Sequence, residues 1–128
     1  MALVILGIMV TGIVSGFIQT HRTAEWSANS LAAQSLAMQP IEQARAAKWD
    51  PYRSKPVDQL VALNFPNTTN VLDIPIAGTN ILYATNRVEI FQVSNDPPLR
   101  RIYVECTWTF MNRAVFTNVV LTFRSPDQ

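Results

Sequence analysis

Histidine and cysteine are nearly missing from this chain, with one of each in 128 residues. A lone cysteine, Cys106, cannot close an intrachain disulfide, form a redox pair or build a cysteine cluster for zinc. The lone histidine, His21, leaves any nucleophile without a second imidazole, and no glycine-rich phosphate loop, metal-ligand spacing or nucleophile motif stands in its place. Charge is also scarce. Asp, Glu, Lys and Arg make up 15% of the residues, the net charge is +1, and Arg100–Arg101 is the only adjacent basic pair. That distribution lacks the basic patch a nucleic-acid partner requires. No enzyme, cofactor, metal site or nucleic-acid partner is expected.

What the first eighteen or so residues lack is charge and proline altogether: MALVILGIMVTGIVSGFI. At 1.5 Å per residue a helix of that length spans roughly 27 Å, close to the ~30 Å hydrocarbon core of a bilayer. No basic residue precedes Arg22, so the run lacks the n-region of a cleaved signal peptide and reads as an uncleaved membrane anchor. The flanking His21 and Arg22 are offset by Glu25, and the positive-inside rule taken alone would place that flank in the cytoplasm. Within the run, Gly7, Thr11 and Ser15 recur every four residues, with the small-xxx-small pair Gly12 and Gly16 beside them. Small residues sharing a helix face let a second helix approach closely in lipid, and hydroxyls can bond across. These five residues are the candidate helix–helix assembly surface.

The helix continues without Gly or Pro through QTHRTAEWSANSLAAQSLAMQ, so residues 1–18 form its membrane half and residues 19–48 an amphipathic half. Ala33, Ala37, Ile41 and Ala44 line one side with Leu36 beside them, while Gln34, Gln39, Gln43 and Arg45 lie largely elsewhere. That face is expected to receive a sheet. Pro40 predicts a kink near 37–39, with helix resuming through PIEQARAAKW until Asp50 and Pro51 end it. Residues 49–69 form a proline-rich connection, with a turn of helix expected between Val57 and Leu63. Asp50, Asp58 and Asp73 are too scattered for a calcium loop, and Asn67-Thr68-Thr69 is a short sequon match of little specificity.

From residue 70 to 128 the period changes to that of strands. VLDIPI, ILYAT, RVEIFQV, RRIYVECTWTF and AVFTNVVLTF are divided by turn residues at Gly78–Asn80, Asn95–Pro98 and Met111–Arg113. Ile102, Val104, Cys106, Trp108 and Phe110 alternate with polar residues and form a buried face, which makes Cys106 an inert interior thiol. Val115, Val119, Leu121 and Phe123, alternating with Asn118 and Thr122, make the partner strand of a closing hairpin, with positive φ expected at Asn112. Trp26, Trp49 and Trp108 are too far apart in sequence to suggest an aromatic cage, and Trp26 suits an interfacial or packing role. The fold class is α+β: a long N-terminal helix packed against a C-terminal antiparallel sheet, as one unit.

ALVILGIMVTGIVSGF, the polar Ala/Gln-rich helix that follows, LAMQPIEQARAAKWDP and the terminal sheet together resemble the type IV pilin superfamily, most nearly the minor pilins and the minor pseudopilins of type II secretion. The likeness is specific from Ala2 to about Pro51 and architectural beyond. It implies a ladle-shaped structural subunit that assembles through its N-terminal helix. Its partners would be other pilin or pseudopilin subunits, an inner-membrane assembly platform and the bilayer. The C-terminal domain would lie outside the cytoplasm, as a single-pass inner-membrane protein or within a filament. The family's basic leader, the glycine before its cleavage point, the aromatic residue after it and the following glutamate are not in this sequence, which starts at Met1 inside the apolar run. The resemblance therefore implies a helix lacking its first turns, and a basic leader would resolve the orientation conflict. The absence of a C-terminal disulfide favours a minor subunit. The alternative is a signal-anchored extracytoplasmic β-domain that binds a ligand or envelope partner without polymerising.

Overall fold

The computed structural model describes residues 2–74, 80–111 and 113–127, with side chains from Val4 onward. A single helix, α1 (Ala2–Ala46), is followed by a short antiparallel pair, β1 (Trp49–Asp50) with β2 (Val57–Asp58), and a 3-10 turn at Ala62–Asn64. A four-stranded antiparallel meander completes the chain: β3 (Thr68–Asp73), β4 (Leu82–Asn95), β5 (Pro98–Phe110) and β6 (Ala114–Arg124), in the order β3-β4-β5-β6. This is the expected α+β layout, and the helix-on-sheet architecture is pilin-like.

At 45 residues, α1 is about 67 Å long. Its second half lies on the sheet. Ala33, Ala37, Ile41 and Ala44 are fully buried or nearly so and face Val88, Ile102, Val104, Cys106 and Trp108. Alanine at three of those four helix positions brings the helix axis close to the strands, and Ile41 fills the remaining gap. Trp49, Leu60 and Phe65 close the core at the far end.

Several boundaries differ from the sequence-based expectation. Pro40 lies inside α1, which neither ends nor restarts there. The helix stops at Ala46, three residues before Trp49, because Trp49 joins β1 and Arg124 takes the last helical carbonyls. Between Val57 and Leu63 the chain is strand at Val57–Asp58 before the 3-10 turn, so the expected turn of helix is displaced. ILYAT and RVEIFQV belong to one strand, β4, bulged between Gln92 and Ser94. The sheet opens at Thr68, and Pro75–Thr79, part of the expected first strand and turn, lie outside the described residues. The positive-φ expectation for Asn112 also falls outside them, while its neighbour Met111 has φ 52°.

The larger correction concerns β6. Its register sets Phe116 opposite Trp108, Asn118 opposite Cys106, Val120 opposite Val104 and Thr122 opposite Ile102, so these even-numbered residues face the helix. Val115, Val119, Leu121 and Phe123 point to solvent, between 47% and 68% exposed. Asn118 and Arg124 go inward because each has a partner there. Asn118 Oδ1 accepts from Trp108 Nε1 at 2.8 Å and its Nδ2 donates to the Ser30 carbonyl at 3.3 Å. Arg124 donates to the carbonyls of Ala44, at 2.6 Å, and Ala47. A guanidinium on the last helical carbonyls both caps them and meets the negative end of the dipole.

Candidate functional site: the exposed half of the helix

The buried positions of α1 begin late, and residues 4–28 are each exposed, with Trp26 also resting against the sheet. This half contains the apolar window that is long and hydrophobic enough to cross a membrane, with none of it buried by the protein itself. An apolar helix projecting into water would cost roughly 25 cal/mol for each Å² it exposes, so this half requires lipid or another helix around it.

Gly7, Thr11, Gly12, Ser15 and Gly16 all lie on this projection. At 100° per residue, Gly7, Thr11 and Ser15 occupy an arc of about 80°, and Gly12 and Gly16 begin about 60° further round. The small residues thus sweep about half the circumference as two adjoining stripes. A Cβ built on Gly7, Gly12 or Gly16 meets nothing within 4 Å. No packing among the described residues explains these glycines. Thr11 donates its hydroxyl proton to the Gly7 carbonyl at 2.8 Å, so this side chain is already satisfied within its own helix and can offer a neighbour only an acceptor. Thr20 on Gly16 and Thr23 on Gln19 do the same, which keeps hydroxyls tolerable at the edge of a hydrocarbon phase.

Where the helix meets the sheet, two tryptophans distant in sequence come together. Trp26 lies 6.5 Å from Trp108 and 5.7 Å from Phe116, and Trp108 stacks on Phe116 at 5.1 Å. Trp108 is buried with its indole N–H spent on Asn118, so the cluster is a packed joint whose open side is a shallow recess between Arg22, Trp26 and Phe110. Trp49 is elsewhere, under the Arg100 guanidinium at 4.4 Å. Arg100 also grips Asp58 through both carboxylate oxygens and donates to the Leu60 carbonyl at 2.6 Å, tying the β1–β2 pair to the sheet. Hydrogen bonds from Arg100 hold the Asp58 carboxyl below its ordinary value despite partial burial. The Trp49 backbone N–H, with Arg124 adding to it, does the same for Asp127.

A second recess, of about 290 Å³, is lined by Gln39, Pro40, Gln43, Phe65, Thr68, Asn70 and Asn86 among others and carries no charge. Cys106 is fully buried, and burial pushes its thiol up, away from the reactive thiolate. His21 is exposed and lies 3.3 Å from Glu25 on the outer helix. Among the described residues no three His, Cys, Asp or Glu side chains are grouped closely enough to hold a metal ion. The inward roles of Asn86, Asn118 and Arg124 were missed in the sequence, where polar residues in strands read as solvent-facing. Comparison with protein-family models, with curated proteins and with solved structures finds no match.

Proposed function

We propose that the chain is a structural subunit, a minor pilin or minor pseudopilin of a type IV pilus or type II secretion pseudopilus, that assembles through the exposed half of α1. One observation carries the proposal: a continuous helix whose outer half is apolar, bears two stripes of small residues and packs against nothing of its own. Helix association in lipid depends on close backbone approach, which such stripes permit. The subunit is single-pass in the inner membrane, with the sheet in the periplasm, until neighbouring helices replace lipid around α1.

Gly7→Leu, Gly12→Leu and Gly16→Leu test this directly. A Cβ at each position meets nothing within 4 Å, and each leucine raises helix propensity by roughly 1 kcal/mol, so a defect is not expected from misfolding of the monomer. The expected result is normal membrane insertion with filament incorporation, read by shearing and immunoblotting, reduced about tenfold or more, equivalent to some 1.4 kcal/mol of assembly energy. Unchanged incorporation by all three variants would favour an anchored module that binds its partners as a monomer.

A further inference from the structure

Strand β6 runs beside α1 in the same direction, and three contacts calibrate the pair. Phe116 meets Trp26, Asn118 meets Ser30 and Arg124 meets Ala44. From Phe116 to Arg124 a strand advances about 26 Å, and from Trp26 to Ala44 a helix advances about 27 Å. The two scales agree, so the strand serves as a ruler toward the other end as well. Met111 and Arg113 flank the β5–β6 turn, three to five residues before Phe116. Phe110 pairs with Ala114, so Met111 and Arg113 stand side by side just beyond that pair, at most about 10 Å closer to the N-terminus than Trp26 and level with helix residues from about 19 onward. The uncharged run ends at that height, at Ile18, and Gln19, His21 and Arg22 follow it.

The same end of the sheet exposes apolar side chains. Asp73 pairs with Leu82, and Ala84 with Trp108, which places Ile74 and Ile81 at the level of Phe110 and Met111. Ile74 is 69% exposed, Met111 48%, Ile81 42% and Trp26 38%. Arg22 and Arg113 are exposed among them, balanced by Glu25 and Asp73. A tryptophan, aliphatic tips and mixed charge match the headgroup layer of a bilayer, where apolar bodies are buried and polar ends stay wet.

We infer that this end of the sheet, formed by Met111, Arg113, Ile81, Ile74 and Trp26, is a lipid-contact surface that seats the domain on the bilayer its own helix enters. The inference rests on the reading of residues 1–18 as a membrane span. The occupant is a zwitterionic phospholipid surface, because the local charges cancel and apolar contact supplies the attraction. Before assembly the sheet is then held at the membrane surface at a fixed height, and is not free to swing on its helix.

The test uses the full chain reconstituted in phosphatidylcholine vesicles, with an environment-sensitive fluorophore on Met111→Cys, Asn95→Cys or Val10→Cys in turn. Cys106 is fully buried and does not compete for label. Asn95, at the turn between β4 and β5, marks the opposite end of the sheet. With headgroup-level nitroxide lipids, the label at 111 is expected to lose about twofold more intensity than the label at 95, with a blue-shifted emission. Mid-chain nitroxide lipids quench the label at 10. Equal behaviour at 111 and 95, with the label at 10 quenched, overturns the contact and leaves the span intact. A label at 111 shielded from both water and nitroxide lipid points to a second subunit and equally overturns it. If the label at 10 is not quenched by any lipid, the span fails and the contact with it.

Discussion

Pro40 and Asn86 form one device built from two distant residues. A proline in a helix has no N–H for the carbonyl four residues back, which here is that of Leu36. Asn86, on β4 and 2% exposed, donates its Nδ2 to that carbonyl at 2.9 Å, so the sheet supplies the hydrogen bond the helix lacks. Its Oδ1 has no partner among the described residues. Asn86→Ala is expected to cost about 1–3 kcal/mol in denaturant unfolding of the detergent-solubilised chain. Restoring the helical donor with Pro40→Ala should recover about 1 kcal/mol more in the Asn86→Ala background than in the parent. Simple additivity would refute the coupling. The carboxylates make a separate prediction. Asp58 and Asp127 both have depressed values in the folded chain, so their contribution is fully present above the ordinary value of 3.8 and is lost as pH falls through the lower folded values. Their contribution should leave stability level from about pH 7 to 5 and lower it below about 4, and Asp58→Asn should flatten the acid limb while lowering the plateau. Neither device was legible in the sequence. Asn86 reads as one polar residue in an apolar stretch, and nothing local shows that it will face a proline.

Strands β5 and β6 show where hydropathy succeeds and where it fails. In β5 the apolar set is also the inward set, because Ile102, Val104, Cys106 and Trp108 meet the alanine face of α1. In β6 Phe116 and Val120 join the core, but Val115, Val119, Leu121 and Phe123 are outward, because other inward positions cap α1 and satisfy the Trp108 indole. Alternation predicted both strands, but its phase in β6 depended on hydrogen-bond partners contributed by other elements. The energetic consequence is measurable. Ile102→Ala removes a fully buried side chain and should cost about 2–5 kcal/mol, whereas Leu121→Thr on the outer face should change unfolding free energy by less than about 0.5 kcal/mol. A cost for Leu121→Thr comparable to that of Ile102→Ala would show that β6 is wrongly phased.

For the whole molecule, the division of α1 into a projecting half and a packed half was legible because lipid-type and sheet-type faces differ in composition. The first is apolar all round, and the second carries a narrow alanine stripe. The candidate assembly residues and the half-circle they sweep were legible as spacing, but their freedom from internal packing was visible only in the folded chain. Since buried helix residues begin at Ala33 and the aromatic joint at Trp26, a chain shortened to begin at Gln19 should keep its thermal midpoint within about 2 °C. A chain beginning at Gln34 loses Ala33, Ser30 and Trp26 together, and should lose cooperative unfolding.

The shared direction of β6 and α1 also has a mechanical consequence. A pull on the N-terminal end of α1, resisted at the sheet, runs along the line joining Phe116, Asn118 and Arg124 to their helix partners. Those three grips are loaded side by side in shear and must give way together, whereas a helix lying across the strands would be peeled off one contact at a time. Tension along the helix is therefore shared among all three contacts.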